Sequence, residues 1–192
     1  MELVNAVLGI FAAFGLSSSA GLNAYLPLLI VGLMSRFTNL LELSEPYDLL
    51  GNGWVIAAVV MLLIVEFFAD KVPAINHIND VIQTLVRPVA GAILFAASTN
   101  VVTTINPVFA MILGLVVAGT VHAAKSLLLR PAVTATTGGV ANPIVSVVED
   151  IVSAIVSFLS IVVPVIIAAL VIIVTAWFVF RMYRRSQQRA VI

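Results

Sequence analysis

The stretch Asn142–Ser160, NPIVSVVEDIVSAIVSFLS, decides how the rest of the chain is read. Its polar residues are Asn142, Ser146, Glu149, Asp150, Ser153, Ser157 and Ser160. Steps of three and four place them on one face of an α-helix. Ile144, Val145, Val147, Val148, Ile151, Val152, Ile155 and Val156 cover the other faces. The segment is apolar enough for a membrane, yet two adjacent carboxyl groups sit halfway along it. Ionisable groups at that depth are costly and face a bundle interior or a wet cavity. The stretch therefore requires other membrane helices around it.

Composition supplies them. The 192 residues are 62% hydrophobic and 9% charged, with a mean hydropathy of +1.20. A soluble domain carries about 25% charged residues, so this chain cannot cover a water-exposed surface. Residues 1–192 read as a single integral membrane domain, an all-α polytopic transmembrane bundle. With no cysteine, disulfides, thiolate metal sites and cysteine nucleophiles are excluded. His77 and His122 are far apart, so neither a metal site nor another cofactor is expected. The zero net charge gives no signal for nucleic acid. Glu2 and the lack of a basic leader argue against a cleavable signal peptide.

About six spans are expected. Residues 3–35 would make a helix of roughly 48 Å, longer than a hydrocarbon core of about 30 Å. Gly15, Ser17–Ser19, Gly21 and Pro27 weaken it. The segment reads as a long tilted span, as a span broken near Ser17–Gly21, or as two half-helices in a re-entrant hairpin, and these residues favour a break. Residues 36–53 form an acidic loop with Glu42, Glu45 and Asp48, and Trp54 opens a second span, 55–68. Residues 72–87 read as a short amphipathic helix. Its apolar stripe is Ile75, Ile78, Ile82 and Leu85; Asn76, His77, Asp80, Gln83, Thr84 and Arg87 share the other side. It is expected on the membrane surface or against the bundle.

Further spans are read at 88–104, 107–124, 142–160 and 161–180, with Pro164 as a bend or turn. Ala110, Gly114, Ala118 and His122 make a small-residue face, a candidate contact for a homo-oligomer. The positive-inside rule puts the C-terminus in the cytoplasm of an inner-membrane protein. Six crossings leave Lys71, Arg87, Lys125, Arg130 and the tail arginines inside and only Arg36 outside. A re-entrant first segment would give five crossings and an outside N-terminus.

Three constellations bear on function. Glu149 and Asp150, with Asn142, Ser146 and Ser153, can line an ion or solute path and exchange a proton; paired with a cation, they would instead be structural. Ser18, Ser19, Asn23 and Tyr25 can supply unwound backbone to the same path, or merely pack helices. Lys125, Arg130, Thr136, Thr137, Gly138 and Gly139 can hold an anion or lipid headgroup at a helix start, although an ordinary cap and turn is the simpler reading. Glu66, Asp70 and Lys71 read as a snorkelling ion-pair cluster, and His122 with Lys125 as an inner membrane boundary. No nucleophile–base set or catalytic motif stands out.

The strings SSSAGLNAYLPLL, FFADKVPAINHINDVIQTLVRP and RPAVTATTGGVANPIVSVVED resemble an uncharacterised family of bacterial integral membrane proteins known only as a domain of unknown function. The resemblance runs from about Ser17 to Ser160. It implies a multi-span inner-membrane protein and brings no activity or site residue. The leading expectation is a transporter or channel-like protein for a small solute or ion, coupled to a proton or cation. The alternative is a lipid-interacting or scaffold protein in the bilayer.

Overall fold

Pro27 sets the first turn of the fold. A proline has no N–H, and in a helix its ring collides with the carbonyl four residues earlier, here that of Asn23. The computed structural model, which describes residues 2–69, 73–100 and 105–189, ends α1 (Glu2–Leu22) at that point and starts α2 (Tyr25–Phe37) after it. Asn23 Oδ1 accepts from the backbone N–H groups of Tyr25 and Leu26, both at 3.0 Å. These are the donors that a new helix leaves open and that a side-chain cap satisfies. The expected break near Ser17–Gly21 therefore falls a turn later. Ser17 and Ser19 stay helical because their hydroxyls bond to other helices: Ser17 Oγ donates to the Gly91 carbonyl and Ser19 Oγ to the Ser153 carbonyl, both at 2.8 Å.

α2 turns back beside α1. Its first residue, Tyr25, lies level with Gln83 and Glu66. Its later residue Gly32 lies against Leu50 and Ile56. The loop beyond α2 returns Tyr47 to the Ala13–Phe95–Ala110 cluster at the opposite end of the bundle. Residues 2–37 are therefore a helical hairpin, the re-entrant form among the three expected. A 3₁₀ turn (Tyr47–Gly51) leads into α3 (Gly53–Ala69), which climbs back towards the hairpin tip.

Two expected boundaries move. The amphipathic stretch and the following span are one helix, α4 (Pro73–Asn100), running through Pro88. Its described residues are oriented inside out: Asn79, Gln83 and Arg87 are buried, while Val81, Ile82 and Leu85 are exposed. Lipid solvates the apolar side, and the polar side finds partners only inside the bundle. Likewise α7 (Asn142–Arg189) passes through Pro164 without a break, joining 142–160 to 161–180. At 1.5 Å per residue its 48 residues reach about 72 Å. Asp70, Lys71, Thr103, Thr104 and the side chains of Asn76, His77 and Asp80 lie outside the described residues.

Between them, α5 (Pro107–Ala124) is capped by Asn106, whose Oδ1 accepts from Val108 N–H at 2.9 Å. A π-helical turn (Lys125–Leu129) and α6 (Arg130–Thr137) follow directly. The small-residue face of α5 packs inside the chain. A Cβ on Gly114 would meet Phe95 and Ala92 of α4, and one on Gly91 would meet Ala118. That face is thus occupied by α4 and is not free for a second copy. The chain is a membrane protein: Val81–Thr99, Pro107–Thr137 and Asn142–Pro164 are each long and apolar enough to cross a bilayer, and no strand occurs among the described residues.

Candidate functional site: a buried ionic layer at the hairpin tip

The buried charges of five helices meet where α1 gives way to α2. Arg87 of α4 lies six residues, about 9 Å, inside the N-terminal edge of the apolar stretch Val81–Thr99. Glu149 lies seven residues, about 10 Å, inside Asn142–Pro164. The layer therefore lies off-centre, displaced towards one face but still nearer the middle of each stretch than its edge. Charges at such depth persist only when paired and hydrogen-bonded, and that pairing organises the site.

On one side, Arg87 Nη2 holds Glu66 Oε1 at 2.9 Å. Arg87 Nη1 lies 3.2 Å from His122 Nδ1, and His122 Nε2 lies 3.2 Å from Thr84 Oγ1. Gln83, one turn before Arg87, is hydrogen-bonded to Tyr25. Glu66 thus pairs with Arg87, twenty-one residues on; Lys71 of the expected cluster lies outside the described residues. On the other side, Lys125 Nζ sits 2.6 Å from Glu149 Oε2 and donates to the Leu22 carbonyl at 3.0 Å. That carbonyl is at the negative end of α1. Arg130 Nη2 approaches the same Glu149 oxygen at 3.8 Å. Asn23, while capping α2 with its oxygen, donates through Nδ2 to Asp150 Oδ1 at 2.9 Å.

The π turn is what brings both cations to Glu149. Residues five apart on an α-helix point about 140° away from each other. The Arg130 N–H bonds to the Lys125 carbonyl, a five-residue repeat that returns position 130 to the face of position 125. π turns are rare and concentrate at functional sites.

Among the described residues, the buried polar atoms of the layer without a hydrogen-bond partner include Glu149 Oε1, Arg87 Nε and Gln83 Oε1. A buried group left in this state costs about 1–3 kcal/mol, so atoms of this kind mark places where a proton, ion or polar solute is accommodated. Among the described residues, no group of three His, Asp or Glu has metal-ligand geometry.

The remaining expected path residues form a seam and not a lumen. Ser19 Oγ lies 2.7 Å from Ser153 Oγ and 2.6 Å from Ser157 Oγ, and Ser153 Oγ donates back to the Ser19 carbonyl at 3.2 Å. All three are fully buried, and α1 and α7 touch directly through them. Ser146 is also buried, Ser18 half-buried, and Asn142 donates to Thr134 Oγ1 at 3.0 Å. The six residues suggested for an anion site are not brought together. Lys125 and Arg130 face Glu149, whereas Thr136, Thr137 and Gly138 are exposed. Gly138, at φ 64°, ends α6 as a left-handed cap, so no helix starts there to present N–H groups.

Sequence reasoning singled out Glu149, Asp150, Asn23 and Tyr25, and it missed Gln83 and Arg87 as members of the same site. The available signal was the density of polar side chains on 72–87, which is more than a surface helix of a membrane protein needs.

A family model described as Domain of unknown function (DUF4126) matches residues 10–185. No curated protein and no solved structure matches the chain.

Proposed function

The chain belongs to the family described as Domain of unknown function (DUF4126), and on that footing we propose, from the ionic layer, a membrane transporter or channel-like protein. It moves a small solute or ion and is coupled to a proton or monovalent cation at Glu149. The observation that carries this reading is Glu149 Oε1, a buried carboxylate oxygen with no partner, set beside the broken helix pair α1–α2. Interrupted helices whose ends face buried ionisable groups are the recurring architecture of secondary transporter sites. The serine seam of α1 and α7 is the closed part of the path, and the ionic layer is where the cargo or its coupling ion rests.

The bundle sits in the cytoplasmic (inner) membrane with Lys125 and Arg130 near the cytoplasmic face and the Glu42–Asp48 loop on the other side. This placement satisfies the positive-inside rule. Their position at opposite ends of the bundle supports it. A cytoplasmic C-terminus would require a reversal at Pro164, whereas α7 runs unbroken through that residue.

The test is flux into proteoliposomes, with a pH-sensitive dye inside and candidate solutes outside. Wild-type vesicles acidify or alkalinise with solute, and Glu149→Gln vesicles with the same protein content do not. Equal flux in the two would remove Glu149 from the mechanism and end this reading. In the lipid-interacting alternative the bilayer itself would be the ligand of Lys125 and Arg130. It is the weaker reading because both cations already engage Glu149.

A further inference from the structure

We infer that the Lys125 ammonium is a tethered cation occupying a monovalent-cation site. The ligands of that site are the Glu149 carboxylate and the Leu22 carbonyl at the end of α1. The inference deepens the reading of Glu149 given above and rests on it.

The ligand set is that of a hard cation. A carboxylate oxygen lies 2.6 Å from the ammonium nitrogen and a helix-terminal main-chain carbonyl 3.0 Å from it. The second carboxylate oxygen, Oε1, is buried and accepts no hydrogen bond. Carbonyls at interrupted helix ends beside a carboxylate are the donors that membrane proteins offer to Na⁺ or H⁺. An anion does not fit the same atoms, because both oxygens facing the ammonium are acceptors.

Charge arithmetic gives the occupancy. Among the described residues the layer holds Arg87, Lys125 and Arg130 against Glu66, Glu149 and Asp150, three positive and three negative. With Lys125 in place the sum is zero, and a second cation would leave an uncompensated positive charge in a low-dielectric site. When Lys125 withdraws, these charges sum to minus one, the deficit that one monovalent ion makes good. Lys125 and the external cation therefore exclude one another. The structure shows the state with the lysine in.

The test reads binding in purified detergent-solubilised protein, without transport. Lys125→Met is titrated with NaCl, methylammonium chloride and choline chloride at constant ionic strength, following the thermal midpoint. NaCl or methylammonium is expected to raise it saturably, by about 4 °C at ten times the half-saturating concentration. Choline should have no such effect, and Lys125→Met/Glu149→Gln should lose the response. A folded Lys125→Met that treats the three salts alike overturns the inference. If Lys125→Met does not fold, wild type provides the reading. NaCl should speed acetylation of Lys125 several-fold relative to choline, with Lys71, the other lysine of the chain, as the internal reference; an unchanged ratio overturns the inference. Failure here with intact Glu149-dependent flux in proteoliposomes would remove the tethered cation and leave the transport reading standing.

Discussion

Arg87 and Glu66 join α4 to α3 through a 2.9 Å ion pair whose side chains are 1% and 2% exposed. Removing one partner strands the other charge in a medium that cannot solvate it. Such single deletions cost about 3–5 kcal/mol, whereas removing both charges together is often neutral. Glu66→Gln and Arg87→Gln should each sharply lower the thermal midpoint in detergent, and Glu66→Gln/Arg87→Met should recover much of the loss. Additive losses in the double variant would mean the two charges do not depend on each other.

The α4–α5 contact is set by backbone approach. A Cβ on Gly91 would meet the Ala118 Cβ and lie 2.9 Å from the Gly114 carbonyl oxygen. Overpacking of this kind costs about 1–3 kcal/mol, so Gly91→Val should reduce the yield of folded protein and its thermal midpoint. Gly119→Ala is the control, since its new Cβ would sit an ordinary 3.7 Å from Pro88. That variant should behave as wild type in the same melting assay.

The serine seam should exclude water in the resting protein. Cysteines placed at Ser19 and Ser153 should resist a membrane-impermeant thiol reagent, while Leu49→Cys and Thr136→Cys should react. The native chain contains no cysteine to confuse the result. Labelling at Ser153 that appears only with an added solute would identify a solute that opens the seam. Fast labelling without solute would contradict the closed contact.

Sidedness separates the two courses open to the C-terminal part of α7. Thr136→Cys and Glu45→Cys should label from opposite faces of intact membranes. If the chain reverses at Pro164, Ser186→Cys should label from the Thr136 side. Labelling from the Glu45 side would mean that α7 continues straight through and that the tail arginines lie outside.

How much of this was written in the order of residues depends on the kind of feature. The helical runs, the broken first segment and the burial of Glu149 follow from spacing and polarity alone. Periodicity tells which side chains share a face, but not what that face meets. Gln83 and Arg87 therefore read as the polar side of a helix lying on the membrane surface or against the bundle, and they are in fact interior. The serines of α7 read as a path lining and in the folded chain meet the serines of α1. The break was misplaced for another reason. Gly and Ser lower helix propensity by tenths of a kcal/mol to about 1 kcal/mol, whereas Pro27 costs about 3 kcal/mol or more, and the stronger breaker decided. The Glu66–Arg87 pair spans two helices, and no local rule reaches across them.

The turn at Lys125–Leu129 holds one residue more than an α-helix needs. Deleting a single residue between 126 and 129 would remove that surplus and let α5 run smoothly into α6. Arg130 would then follow Lys125 by four residues and stay on the same face. The same residues forced into a regular α-helix without the deletion would instead point positions 125 and 130 about 140° apart and swing the Arg130 guanidinium off the carboxylate it shares with Lys125. The chain carries its second positive charge to Glu149 by miscounting a helix by one, so the backbone form of this segment matters as much as the identity of its side chains.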